Sequence, residues 1–311
     1  MKIIISPSDH TFTDKSNRVA IALGTFDGVH LGHQKLLHKL IHIKQKYNDA
    51  SMVYTFMNHP LHIMNDENKP LLLMTKQEKA LSLQEYNIDY LYMVSFTKKF
   101  SMINYDDFLI DLINRIPISH IVVGYDFKFG YKGMGTVQSI IKIASLYNVK
   151  VHVISPVRMN DDVVSSTKVR QYIANGNIQD ANILLGKLYT LSGKVIQGEN
   201  IGRTLGFPTA NIKYDPVKIL PSNGVYVTTV DINGTYYPAI TSVGTNPTVN
   251  SNKKITIETY ILDFNFSIYG IFIKVLFLRK IREEIKFKSR NELVTQIFLD
   301  IAYANNFYRC Q

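Results

Sequence analysis

The chain has 311 residues and a mass of 35.5 kDa, enough for two domains of ordinary size. Hydrophobic residues make up 46% and charged residues 19%, a balance that excludes wholesale disorder. No apolar run approaches the ~18 residues of a membrane span; the most apolar stretch, Ile268 to Leu278, is broken by Lys274. The opening Met1-Lys2-Ile3-Ile4-Ile5 is too short for a secretory signal, so the chain reads as soluble and cytoplasmic. The single cysteine, Cys310, excludes an internal disulfide and a cysteine-rich metal site. Net charge is +10, with 20 basic and 16 acidic residues up to Leu185 and 15 and 9 after it. A positive excess attracts nucleic acid, membrane surface or phosphate-bearing small molecules. Spread without a basic arm, it is weak evidence for nucleic acid and fits phosphate-bearing substrates equally well. The partners expected for the chain as a whole are small-molecule substrates, with no nucleic acid and no membrane. An oligomer is compatible with this composition and not implied by it.

In chain order, short β-branched or aromatic runs occur at Val19–Leu23, Met52–Phe56, Asp89–Val94, His120–Val123 and Lys150–Ile154. Segments of helical spacing separate them: His33 to Tyr47, Thr75 to Tyr86, Met102 to Ile116 and Thr136 to Tyr147. Thr75 with Glu78 three residues on is a capping box. This alternation predicts a parallel sheet covered on both faces, with ligands at the carboxyl ends of its strands. Asn177 to Leu185 reads as the last helix of that domain.

From Tyr189 the pattern changes to short strands between Gly, Asn and Pro turns. Val225–Val230 and Tyr236–Ile240 flank Asn233-Gly234, a hairpin signal. Ile255–Leu262 and Ile271–Leu278 add two strands, and Asn291 to Tyr303 closes as a helix. The expected architecture is α/β plus all-β: a parallel-sheet domain over 1–185, then a small antiparallel barrel or sandwich with a terminal helix over 186–311.

Gly24-Thr25-Phe26-Asp27-Gly28-Val29-His30-Leu31-Gly32-His33 joins the first of these strands to the first helix. A glycine-containing loop there aims free N–H groups and the positive helix end at an anion. Histidines on either side of Gly32 can donate to phosphate oxygens as charge builds on a leaving group. Taken singly, either histidine is more often an ordinary solvated or core residue. His30-Leu31-Gly32-His33 resembles the HxGH signature of nucleotidyltransferases. The longer stretch, with Val123 to Gly130 and Val164-Ser165-Ser166-Thr167-Lys168-Val169-Arg170, resembles the bacterial bifunctional riboflavin kinase/FAD synthetases.

The resemblance implies a Rossmann-like nucleotidyltransferase domain that transfers the adenylyl group of ATP to FMN, giving FAD and pyrophosphate. It implies His30 and His33 as catalytic residues, ATP contacts at Gly24, Thr25, Phe26, Asp27, Gly32, Ser165, Thr167 and Arg170, and flavin contacts at His59 and Asp126. Asn58 stands where relatives read Pro-His-Pro, and after Gly130 only Lys132 is basic, with Gly133 following.

In the second half, Gly193-Lys194 and Gly202-Arg203 flank a glycine-containing loop, and Gly206-Phe207-Pro208-Thr209-Ala210-Asn211 follows. Thr209 and Asn211 sit two apart on an extended segment, so both project to one side. Their hard oxygens suit Mg²⁺. No Walker sequence is present. This stretch resembles the riboflavin kinase domain. The resemblance implies ATP-dependent phosphorylation of riboflavin to FMN, with phosphate contacts at Gly193, Lys194, Gly202, Arg203, Thr209 and Asn211. It further implies Mg²⁺ at Thr209 and Asn211, Glu258 as catalytic base on an inward strand position, and Arg279 near the flavin phosphate. Asn246 and Ser267 depart from its pattern. Arg279 to Arg290 carries six basic and two acidic residues and otherwise reads as a solvated strand end.

Overall fold

The computed structural model describes residues 1–6, 18–64, 69–159, 162–198, 201–245 and 255–310, apart from the side chains of Ile201 and Arg203. The Arg203 side chain and Asn246 therefore lie outside the described residues. The chain divides into two compact units, Met1–Ser166 and Thr167–Gln311.

The first unit is a six-stranded sheet, parallel throughout, in the order β1-β4-β3-β2-β5-β6. The strands are β1 (Lys2–Ser6), β2 (Val19–Leu23), β3 (Ala50–Phe56), β4 (Tyr90–Val94), β5 (Ile118–Gly124) and β6 (Lys150–Ile154). Every residue of β2 is buried, as a central strand covered on both faces requires. Period-two alternation divides its side chains between two cores. Ala20 and Ala22 pack with Leu36, Leu37, Leu40 and Ile43 of α1 (Leu31–Tyr47). Leu83 of α3 (Lys76–Gln84) joins them, α2 being a single turn (Leu61–Met64). Val19, Ile21 and Leu23 belong to the opposite core. There they meet α5 (Tyr105–Arg115), which follows the short α4 (Lys98–Ser101), and α6 (Val137–Leu146). From β2 the chain winds one way through β3 and β4 and the other way through β5 and β6. That reversal opens a crevice at the carboxyl ends of β2 and β5. A two-residue ladder of β7 (Arg158–Met159) and β8 (Asp162–Val163) precedes the unit boundary.

The expected Thr75/Glu78 capping box is present in both directions. The edge strand β1 was not in the sequence reading, because its partner β4 lies some ninety residues away and no local turn announces the pairing.

The second unit opens with α7 (Ser166–Ala174, whose first residue belongs to the first unit) and α8 (Ile178–Leu185). A closed antiparallel barrel follows: β9 (Tyr189–Ile196), β10 (Ala210–Tyr214), β11 (Gly224–Ile232), β12 (Thr235–Thr245), β13 (Ile255–Ile261) and β14 (Phe272–Arg282). The single-turn α9 (Ile201–Thr204) lies between β9 and β10, and α10 (Arg290–Arg309) closes the chain. The helix expected to end the first domain belongs to this unit. Asn182 on α8 donates to the Phe277 carbonyl of β14 at 2.9 Å and accepts from the Tyr189 N–H at 2.7 Å. By compactness the division thus falls earlier than the expected 185/186.

Inside the barrel, Thr228, Thr241 and Thr259 form a fully buried hydroxyl chain with steps of 2.8 and 2.9 Å. Outside it, Val227, Ile240, Tyr260 and Leu262 pack against Ala304 and neighbours on α10. Arg282 holds α10 through a bidentate pair with Asp300, which is 2% exposed.

Candidate functional site

The segment after β2 is a strained loop whose carbonyls are taken up one by one. Phe26 (φ 49°), Gly28 (φ 87°) and Val29 (φ 43°) all occupy the left-handed region. For a β-branched valine this is costly, and such conformations persist only where the surroundings enforce them. Here they do. Thr55 Oγ1 and Lys79 Nζ both donate to the Thr25 carbonyl, at 3.0 and 2.8 Å. Ser166 Oγ donates to the Asp27 carbonyl at 2.9 Å, and Gln34 Nε2 to the Val29 carbonyl at 3.0 Å. Phe26 is wholly buried, and its ring lies 5.1 Å from that of His33. A Cβ on Gly24 would come within 3.0 Å of the Phe26 ring.

This loop delivers His30 to the N-cap of α1. Its Nδ1 accepts the His33 backbone N–H at 3.4 Å, so in the neutral ring the proton sits on Nε2. The imidazoles of His30 and His33 stack at 3.7 Å and 17°. Gly32 allows this, since a Cβ there would meet the His30 ring at 3.1 Å. The glycine makes room first for a histidine. Asp27 is 2% exposed, and its carboxylate accepts the N–H groups of Leu73 and Met74 at 3.1 Å each.

On the other side of the cleft, His59 follows β3, and its Nδ1 accepts the Leu61 N–H at 3.2 Å. Thr25, Asp27, Phe56, His59, Lys76 and Lys79 are among the residues lining a cleft of about 300 Å³, open mouth included. Asp126 is exposed just past β5. The loop beyond it closes through a Phe129–Gly135 bridge and packs tightly on Tyr105. Gly133, a departure from the resemblance, has φ 66°, a conformation that favours glycine. Ser165 is half-buried immediately before α7. Thr167 and Arg170, three apart on α7, share a helix face within the second unit.

In the barrel, ladder register does the positioning. Asn211 on β10 stands opposite Glu258 on β13, which also pairs with Ser242 on β12. Thr209, just before β10, donates from Oγ1 to Glu258 Oε2 at 3.4 Å. The glycines before it give clearance: a Cβ on Gly198 would fall 2.2 Å from Asn211 Nδ2. One on Gly202 would fall 2.5 Å from the Phe207 carbonyl and 3.3 Å from Thr209 Oγ1.

The inward position expected for Glu258 is corrected by its neighbours. Ile257, Thr259 and Ile261 are the buried alternates, while Tyr260, two residues on, packs under α10. Glu258 therefore belongs to the outer, half-buried face. Gly193 sits at a tight strand crossing, where a Cβ would approach the Lys213 carbonyl to 2.5 Å. Lys194 and Arg279 are exposed on β9 and β14.

The family model for FAD synthetase matches residues 12–168, and that for riboflavin kinase matches residues 185–308. A bifunctional riboflavin kinase/FMN adenylyltransferase of Buchnera aphidicola is 34% identical over 96% of both chains. One of Bacillus subtilis is 32% identical over 99% of this chain and 98% of its own. This chain belongs to the bifunctional riboflavin kinase/FMN adenylyltransferase family. That is the family the sequence motifs resemble. A Streptococcus pneumoniae crystal structure described as a macrolide-efflux protein shares the fold at a TM-score of 0.89. It is 30% identical, with coverage of 97% of this chain and 99% of that one. Efflux is said of that chain alone. Among the described residues here, no helix is long and apolar enough to cross a membrane.

Within the riboflavin kinase/FMN adenylyltransferase frame, the sequence assigns no role to Asn58 and does not single out Lys79. Asn58, read as a departure, brackets Phe96: its Nδ2 donates to the Phe96 carbonyl at 2.8 Å and its Oδ1 accepts the Phe96 N–H at 2.9 Å. Lys79 is 9% exposed on the same face of α3 as Ser82 and Leu83. A lysine on a buried stripe was the available signal.

Proposed function

We propose that the loop after β2 performs the adenylyl transfer of this family and that the outer face of β10 and β13 performs the riboflavin phosphorylation. The assignment gives residues 1–185 to the first activity and 186–311 to the second. The substrates are riboflavin, FMN and ATP, and the products FMN and FAD, with the enzyme working in the cytoplasm.

In the first reaction a phosphate oxygen of FMN attacks the α-phosphorus of ATP, and pyrophosphate departs. No covalent enzyme intermediate is required, so the protein contributes positioning and charge neutralisation. His30 donates through Nε2–H to the phosphate oxygens that gain charge, and His33, stacked on it, acts with it. Gly24, Thr25, Phe26, Asp27 and Gly32 shape the nucleotide loop, with Ser165, Thr167 and Arg170 on the triphosphate. His59 and Asp126 lie on the flavin side. The observation that carries this reading is the His30–His33 stack at the start of α1, at the crevice beside β2.

In the second, the terminal ribityl hydroxyl attacks the γ-phosphorus of ATP. Its proton passes to the Glu258 carboxylate as the new O–P bond forms and ADP leaves. Gly193, Lys194, Gly202 and Arg203 border the phosphates, and Arg279 faces the flavin phosphate. Thr209 Oγ1 and the Asn211 amide oxygen fit Mg²⁺: both are hard oxygens beside a carboxylate, and Gly198 and Gly202 leave them clearance. Among the described residues no cluster of three His, Cys, Asp or Glu could hold a metal. A cation here would share substrate and water oxygens, as Mg²⁺ does. Bound with ATP, Mg²⁺ would neutralise phosphate charge.

A chromatographic product assay with ATP and Mg²⁺ tests both halves. FAD formed from riboflavin through FMN, and from FMN directly, is expected. FAD from supplied FMN only would remove the kinase assignment, and no product from either would remove both.

A further inference from the structure

Lysine is rarely this buried without a reason, because desolvating an ammonium is costly. The partners of Lys79 supply one. Its Nζ donates to the Thr25 carbonyl at 2.8 Å and to the Phe56 carbonyl at 3.1 Å. Those carbonyls belong to different segments. Thr25 begins the strained loop that carries His30 and His33, and Phe56 ends β3 just ahead of His59. Asp27, in the same loop, clamps the N–H groups of Leu73 and Met74, the segment that leads into α3. Loop, β3 terminus and α3 are thereby joined in a closed ring around the cleft that Lys79 helps to line.

We propose that Lys79 is a positioning residue for adenylyl transfer, its ammonium fixing the spacing between the His30/His33 loop and the His59 segment. The inference rests on the adenylyl-transfer reading of that cleft. Charge matters because a cationic donor bonds two carbonyls more strongly than a neutral amine does. Burial lowers the Lys79 pKa to about 8, with Asp27 opposing the shift. The charged form is therefore complete at lower pH and is lost as pH rises through about 8. The charged and titratable groups around it are Asp27 from the loop, Lys76 and Glu78 from α3, and His59 from the segment after β3.

The test is steady-state conversion of FMN to FAD by the full-length wild type, Lys79→Met and Lys79→Arg, from about pH 6.5 to 9.5, spanning that titration. Riboflavin phosphorylation and thermal melting are followed in the same preparations. Lys79→Met is expected to lower kcat for FAD formation about 100-fold, as small misplacements do, and to leave riboflavin phosphorylation unchanged. Lys79→Arg keeps a permanent charge. It is expected to retain at least about a tenth of the activity and to lack the alkaline limb near pH 8 expected of the wild type. Unchanged kcat and an unchanged limb in both variants would overturn the proposal. So would equal loss in both accompanied by matching loss of melting temperature, which marks a purely structural lysine. A wild type that makes no FAD from FMN would overturn the adenylyl-transfer reading itself and this inference with it.

Discussion

The two candidate sites are held by opposite means. After β2, a short backbone segment in unfavourable conformations is fixed by side chains from Thr55, Lys79, Ser166 and Gln34, each donating to a loop carbonyl. In the barrel, Asn211 and Glu258 are set opposite one another by strand register, a matter of backbone pairing. Side-chain clamps couple a site to distant positions, so one substitution among them disturbs the whole loop. Register isolates a residue, so the chemistry of one strand position can be removed while its neighbours stay in place.

Glu258→Gln is the sharpest use of that isolation. It preserves shape and register and removes the base, so riboflavin phosphorylation is expected to fall about 10²- to 10⁴-fold. Conversion of supplied FMN to FAD should not change, and both rates can be read by chromatography. A surviving kinase would break the register half of the comparison. Asp300→Ala tests what supports that register. Removing the buried partner of Arg282 leaves an uncompensated charge and is expected to cost about 3–5 kcal/mol. Denaturant unfolding of the barrel would measure it, while FMN-to-FAD conversion persists.

Gly32→Ala sharpens the clamp half. A Cβ 3.1 Å from the His30 ring is closer than ordinary contact, so that ring must shift by a few tenths of an ångström. FAD formation is expected to fall about tenfold through kcat with little change in melting temperature. The smallest effect concerns His152, whose pKa burial lowers to about 4, helped by Lys39, His120 and Lys150. A lowered histidine stabilises the fold fully above its unfolded value near 6.5 and loses that contribution as pH falls toward about 4. His152→Gln should therefore flatten the fall of stability between those limits, as followed by unfolding at a series of pH values.

Most of the architecture was legible, because buried parallel strands and capped amphipathic helices write their periods into the sequence. The Thr75/Glu78 box and the Asn233-Gly234 turn stand where the sequence puts them, with the flanking strands longer than their local pattern. What a local pattern does not carry is long-range contact. β1 pairs with a distant strand, and α8 anchors to β14 through Asn182, neither of which a local pattern encodes. Glu258 is different. The buried alternation Ile257, Thr259, Ile261 places it outward, against the inward position expected of the base. Within the candidate sites, the motif residues could be named from the sequence. Asp27, Asn58 and Lys79, which bind backbone groups tens of residues away, took their roles only from the fold.

The central claim is that two separately held sites carry two separable reactions. It is tested most directly by feeding riboflavin, ATP and Mg²⁺ to the His33→Ala variant and following products over time. The account predicts that FMN accumulates at the wild-type rate and that no FAD forms. Equal loss of FMN and FAD formation would contradict it.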